Sequence, residues 1–282
     1  MSTCLAQNSK SYGNSVEIYT SQEVSKIVLE KQNDKKNKVK GVETKDGKFI
    51  EANFILSNAT PHVTFKNLLK SYDLDKSEDF ETQTFFKRIE NIKYDSGVMK
   101  INLAVSRLPN FLADPNVKEN KSMPHHQCTI HINCENMNLI HEGFQDAKIK
   151  NVPSRTPMIE MVIPSSLDRT LAPKGAHVIL LFCQYFPLES ERIDPNAKER
   201  FYNSVINSIE KYAPGFRDSI IGQDILSPLD LETTFGLTGG NIFHGAMPLN
   251  QLYINRPVSG WCTYDTPISG LLLCGSGTHP GG

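Results

Sequence analysis

Apolar side chains between Gly97 and Arg107 fall on every second position, at Met99, Ile101, Leu103 and Val105, the period of a strand covered on one face. Met158 to Ile163 and Val178 to Tyr185 predict two further apolar strands, and the PSSLDRTLAPKG stretch between them carries the Pro, Ser, Asp and Gly of an irregular loop. Together they predict a separate antiparallel sheet. The period then changes to that of a helix, with Ala197, Phe201, Val205, Ile209 and Tyr212 on one face. Asp194 suits its N-cap and Pro195 its first turn, and Pro214-Gly215 ends it. Ser227-Pro228 predicts the start of another helix, with Asp230 as capping-box partner.

Towards the N-terminus the pattern is finer. Val16 to Thr20 and Lys26 to Leu29 predict short strands, and Val39 to Thr44 and Phe49 to Glu51 flank an Asp46-Gly47 hairpin turn. Phe54 to Leu56 predicts a short strand ending in SNATP. A helix, a strand, a small meander and a return strand in this order are the expected second half of a dinucleotide-binding domain. At the other end, Leu271 to Cys274 is an apolar run that meets a glycine-dense turn with Gly275, Gly277, Gly281 and Gly282, as a buried strand does where backbone approaches a ligand closely.

Composition narrows the classes. The 282 residues are 39% hydrophobic and 22% charged, so the chain can bury a core. A net charge of −1 and the lack of a basic stripe argue against nucleic acid as a partner. No run approaches the ~18 consecutive apolar residues of a membrane span. The six cysteines lie far apart with no CxxC pair, so no redox-active disulfide is assigned and reduced thiols are expected. The first residues, MSTCLAQNSKSYG, lack the apolar core of a secretory signal. The Lys-rich run from Lys31 to Lys40 has the charge of a solvated hairpin loop.

Four clusters are candidates for chemistry. PHHQCTIHINCE places His125, His126, Cys128, His131 and Cys134 close together, but strand parity sets Cys128, Ile130, Ile132 and Cys134 on one face and His131 on the other. That arrangement predicts small core cysteines and no metal site. GSGTHPG offers Ser276 and His279, yet it lacks the GxSxG elbow of a serine hydrolase. The glycine-rich segment from Gly236 to Pro257 holds His244, a weak catalytic candidate that would face a cofactor or substrate, against the alternative of a structural histidine. Gly275 and Gly277 fit the first two places of GxGxxG, but Pro280 takes the third and Gly281 comes one place late.

GSGTHPGG nevertheless resembles the C-terminal flavin motif of the carotenoid and retinoid oxidoreductase family, which includes the phytoene desaturases. SNATP, KINLAVSRLPNF, PHHQCTIHINCE, IPSSLDRTLAPKG, YAPGF, GGNIFHGAMPLNQLY and NRPV extend the likeness over nearly the whole chain. The resemblance implies a mixed α/β (α+β) fold: a partial Rossmann-type FAD-binding domain with an inserted mixed, largely antiparallel-sheet substrate domain. Residues 1–60 would be the C-terminal half of the first FAD-domain segment, 61–258 the substrate domain, and 259–282 the return to the FAD domain. It implies FAD as cofactor, with Gly275, Ser276, Gly277, Thr278, His279, Pro280, Gly281 and Gly282 along the pyrophosphate and ribityl chain and Val24 at the adenine. Many flavoproteins of this type carry an acidic residue where Ser276 stands.

The implied activity is dehydrogenation, isomerisation or saturation of an apolar small molecule, and the implied location is the mitochondrial matrix. The family's GxGxxG unit would lie before Met1 and its last helix after Gly282, so the resemblance implies an incomplete piece. If those parts supply two hydrogen bonds to charged phosphate, the isolated chain should bind FAD about two to four decades more weakly. A non-catalytic member that acts through a protein partner is the alternative reading, and a truncated gene model is a third.

Overall fold

The structure is a computed structural model and describes residues 16–31, 37–72, 74, 79–118 and 121–281. The chain divides into two compact units, one running up to Asn91 and resuming over Asn250–Gly281, the other formed by Ile92–Leu249. The divisions thus fall near 91 and 249, where 60 and 258 were expected. Residues 61–91 go with the first unit because their apolar side chains pack there: the Phe65 ring lies 5.1 Å from Phe85 and 5.3 Å from Phe86, and Phe85 lies 5.3 Å from Trp261, all edge to face.

In the first unit, β1 (Val24–Lys31), β2 (Asn37–Thr44) and β3 (Phe49–Glu51) form an antiparallel sheet in that order. The Asp46-Gly47 turn closes as expected, with the Gly47 N–H donating to Thr44 O at 3.0 Å. Val16, Ile18 and Tyr19 do not form the expected strand; they are exposed and irregular, since alternation over so few residues creates no face to bury. β4 (Ile55–Ser57) pairs in parallel with β10 (Leu271–Leu273), Leu273 opposite Ser57. A bridge from Lys38 to Ser269 runs parallel as well. Between them, α1 (Phe80–Glu90) starts at Asp79, whose carboxylate accepts from the N–H groups of Glu81 and Thr82, and buries Phe85, Phe86 and Ile89. The expected helix before β1 lies outside the described residues.

The second unit is built on a five-stranded antiparallel sheet in the order β6 (Ile130–Ile132), β7 (Met158–Val162), β8 (His177–Gln184), β5 (Val98–Val105), β9 (Ile220–Leu226). Burial alternates strictly along β5, as the period predicts, and along β8, whose sequence is apolar on both faces. Met99, Ile101 and Leu103 face the core with Ile179, Leu181 and Cys183, against Phe201, Val205, Ile206 and Ile209 of the long helix. Burial raises the pKa of the Cys183 thiol, which keeps it an inert core residue.

That helix, α4 (Ala197–Tyr212), starts two residues later than expected. Asp194 instead ends a helix that periodicity did not predict, α3 (Leu188–Ile193), and accepts from the Asn196 N–H at 2.9 Å. The remaining helices are α2 (Met137–Lys148), the single turn α5 (Phe216–Ser219) and α6 (Pro228–Phe235). α6 has the expected reciprocal capping box of Ser227 and Asp230. Asp146 on α2 is 2% exposed and holds Lys150 at 2.7 Å and Arg155 at 3.1 Å. Among the described residues no helix is long and apolar enough to cross a membrane.

Candidate functional site

β4 and β10 end side by side, and both continue into polar loops. The Cys274 N–H donates to Ser57 O at 2.9 Å, so SNATP and the Gly275–Gly281 loop leave from one level at the carboxyl ends of parallel strands. That is where open α/β sheets bind ligands. The buried hydroxyl of Ser57, the first residue of SNATP, meets that of Thr64 at 2.8 Å.

The glycine loop is closed from within and clamped from outside. Gly275 has φ +85° and Gly281 φ +114°, values that suit residues without a Cβ. Thr278, 3% exposed, turns back so that its N–H and Oγ1 both donate to Gly275 O, at 3.1 and 2.7 Å. Arg256 donates from Nε to Ser276 O at 2.7 Å and from Nη1 to Gln251 O at 3.2 Å. The Tyr253 N–H reaches Pro280 O at 3.2 Å. Arg256 is 1% exposed and the largest fully buried side chain described. The one local signal for it is its place in NRPV, directly before Pro257. His279 presents a buried Nδ1 with no hydrogen-bond partner among the described residues. Gly282 lies outside them.

The other predicted site residues sit apart in kind. Val24 opens β1 opposite Thr44 in the antiparallel sheet of the same unit. His244 belongs to the second unit, half-buried at φ +57°, with its N–H donating to Asn241 O. Asn241 Oδ1 also accepts from the N–H groups of Phe243 and Gly245, so this turn is held by the Asn241 side chain as well as by backbone. The neighbouring glycines serve packing: a Cβ on Gly239 would meet Tyr94 O at 2.5 Å, and one on Gly240 would meet Pro228 O at 2.3 Å.

The histidine and cysteine cluster differs from its strand-parity expectation. Only Ile130–Ile132 is strand; Pro124–Gln127 is a 3₁₀ turn, which breaks the alternation and leaves Cys128 exposed instead of in the core. His126 is fully buried. Its Nδ1 accepts from the Met123 N–H at 3.0 Å, and its Nε2 donates to Pro109 O at 2.9 Å, which defines a neutral imidazole with both nitrogens engaged. His125 pairs with Asp114 at 2.9 Å. Among the described residues no three metal-ligating side chains converge.

Burial lowers the pKa of His126, and burial followed by the Arg169 charge lowers that of His177. Both are neutral in the fold, so the unfolded chain binds more protons below the ordinary histidine value of about 6.5. Stability is therefore at its full value above about pH 6.5 and falls as pH drops through the folded values, before carboxylates begin to titrate near 4. Melting temperature measured between pH 7.5 and 5 should fall in the wild type and fall less in His177→Gln; parallel curves would rule His177 out as a cause.

No protein-family model matches the chain. Over its whole length it is 46% identical to the rat protein named pyridine nucleotide-disulfide oxidoreductase domain-containing protein 2, of which it covers 47%. It is 24% identical to the phytoene desaturase (lycopene-forming) of Pseudescherichia vulneris, over 87% of this chain and 44% of that protein. The chain thus spans about half the length of these curated relatives. The crystal structure of an oxidoreductase from Methanosarcina mazei shares its fold with a TM-score of 0.50 at 18% identity, over 93% of this chain and 45% of the other. The fold is mixed α/β with several sheets. The described parallel strands are β4 and β10, a single pair, which does not by itself define a Rossmann domain.

Proposed function

From this full-length likeness, we infer that the chain is part of a flavin-dependent oxidoreductase, of the family that holds pyridine nucleotide-disulfide oxidoreductase domain-containing protein 2 and the phytoene desaturases, acting on an apolar small molecule. One structural observation carries the flavin assignment: the Gly275–Gly281 loop at the end of a parallel strand pair, held by Arg256 and containing a buried, unpartnered His279 Nδ1.

The residues present fit such a group. Gly275 and Gly281 let backbone approach a pyrophosphate, His279 has a hydrogen-bonding atom to spend on it, and Val24 would meet the adenine through its main chain. When bound, FAD supplies the redox chemistry by taking up or delivering a hydride. The protein's part is to bind, orient and exclude water. Thr278 and Arg256 keep the loop in one conformation before the ligand arrives, which lowers the ordering cost of binding. The apolar substrate is assigned to the half-buried face of the five-stranded sheet opposite the core, where Met158, Val178, Leu180 and Phe182 project.

The test is to purify the protein encoded by the complete transcript and measure its flavin content before and after desalting, alongside His279→Ala. Stoichiometric FAD is expected in the wild type. Loss of one charge-assisted hydrogen bond should weaken FAD binding in the variant by about tenfold or more. A protein that carries no flavin and takes up none on titration would overturn the assignment.

A further inference from the structure

The face of the five-stranded sheet that looks away from the core is apolar across its centre, with one amine in it. Side chains at alternate positions of β7, β8 and β5 fall into cross-strand rows. Glu160, Phe182 and Lys100 stand in one row, and Val162, Leu180 and Asn102 in the next. β9 continues these rows with Leu226 beside Lys100 and Asp224 beside Asn102. Along β5 this face is half-buried, Lys100 included.

Lys100 is held in place. Its Nζ donates to Asn102 Oδ1 at 2.7 Å, and Asn102 Nδ2 donates onward to Asp224 Oδ2 at 3.2 Å. Asp224 is exposed on the edge strand and is joined to Lys100 by hydrogen bonds through the amide. Burial pushes the Lys100 pKa below its ordinary value, while the charge of Asp224 opposes that shift. An ammonium has three donors, and Asn102 takes one. A hydrocarbon laid across Phe182 and Leu180 would strip water from the other two and leave them unpaired, which is unfavourable. A carboxylate can accept both and match the charge.

We propose that Lys100, positioned by Asn102, receives the carboxylate of a long-chain apolar acid, so that the substrate is an amphiphile with one anionic end and not a pure hydrocarbon. This rests on the reading of that sheet face as the substrate face. Lys100 thereby sets specificity and takes no part in the redox step. Glu160, between His131 and Phe182 in the row of Lys100, and Asp224, beside Asn102 on the edge strand, add negative charge that repels a misplaced carboxylate and favours the one position beside Lys100.

The test compares oleate with oleyl alcohol, which share a chain and differ at one end, by isothermal titration calorimetry on the purified 282-residue chain. Wild type should bind oleate about tenfold to a hundredfold more tightly than the alcohol, the range of a charge-assisted pair of hydrogen bonds. Lys100→Met should lose that preference and keep its affinity for the alcohol. Lys100→Arg should retain it. Equal affinities in the wild type, or a preference that survives in Lys100→Met, overturn the proposal while the substrate face stands. If neither compound binds, the face is not the substrate face and the proposal falls with it.

Discussion

Arg256→Met should unfold the first unit at markedly lower denaturant, with a loss of about 3 kcal/mol or more from two hydrogen bonds to a charged donor. The side chain is 1% exposed and bonds to Ser276 O and Gln251 O. Methionine fills the volume but donates nothing, so two carbonyls lose their partner in a region with little access to water. Trp261 is the single tryptophan of the chain and packs on Phe85 in this unit, so its fluorescence follows the relevant transition. Arg256→Lys should recover only part of the loss, because one ammonium lacks the planar fork that reaches both carbonyls. A midpoint shift equivalent to less than about 1 kcal/mol would mean that the arginine is replaceable and the clamp is not a stability element.

Gly270→Ala should be nearly as severe, for a different reason. Gly270 has φ +81°, and a Cβ there would meet Asn53 O at 2.5 Å and Val39 Cγ2 at 2.7 Å. Its carbonyl accepts from the Ile55 N–H at 2.8 Å, so the residue is where β10 joins β4. Left-handed strain of about 1–2 kcal/mol adds to overpacking of about 1–3 kcal/mol. Gly47 provides the control: its φ is +85°, but a Cβ there would meet nothing within 4 Å. Gly47→Ala should therefore show the strain alone. Equal losses in urea titrations of the two variants would show that contact with Asn53 and Val39 is relieved at no energetic expense. A larger loss in Gly270→Ala should be accompanied by weaker flavin binding, since the strand that leads into the glycine loop is the one displaced.

How much of this was legible depended on how far each signal repeats. β5 was readable because its alternation allows one burial pattern, β8 because an unbroken apolar run of that length marks a strand, and α6 because Ser227, Pro228 and Asp230 each mark the same boundary. Val16 to Thr20 carried the same alternation over too few residues, with no partner face. α2 escaped notice because its buried positions are Gly143 and Asp146, and neither signals a core. In PHHQCTIHINCE the proline starts a turn that ends the strand reading before Ile130, which moved Cys128 outward and His126 inward, while Ile132 and His131 keep the expected faces. The glycine loop itself was visible in the sequence. Its clamp was not, because the bond from Arg256 to Ser276 depends on how residues 250–257 fold back, which no local pattern encodes. Lys100 and Asn102 fall between the apolar positions of β5, and the amide link to Asp224 depends on the β5–β9 register, which the local sequence does not encode.

The interrupted course of the first unit also has a consequence in time. Ile55 of β4 is made long before its partner Leu271, with the whole of Ile92–Leu249 synthesised between them. At about 5–20 residues per second, the ribosome takes roughly ten to forty seconds to cover that distance. The second unit is continuous in sequence and can assemble as it emerges. Through that interval the edge of β4 that β10 later pairs stands open, and the nascent chain is exposed to wrong strand pairings. Residues 271–281, made after the whole of the second unit, pair that edge and form the glycine loop in the same step.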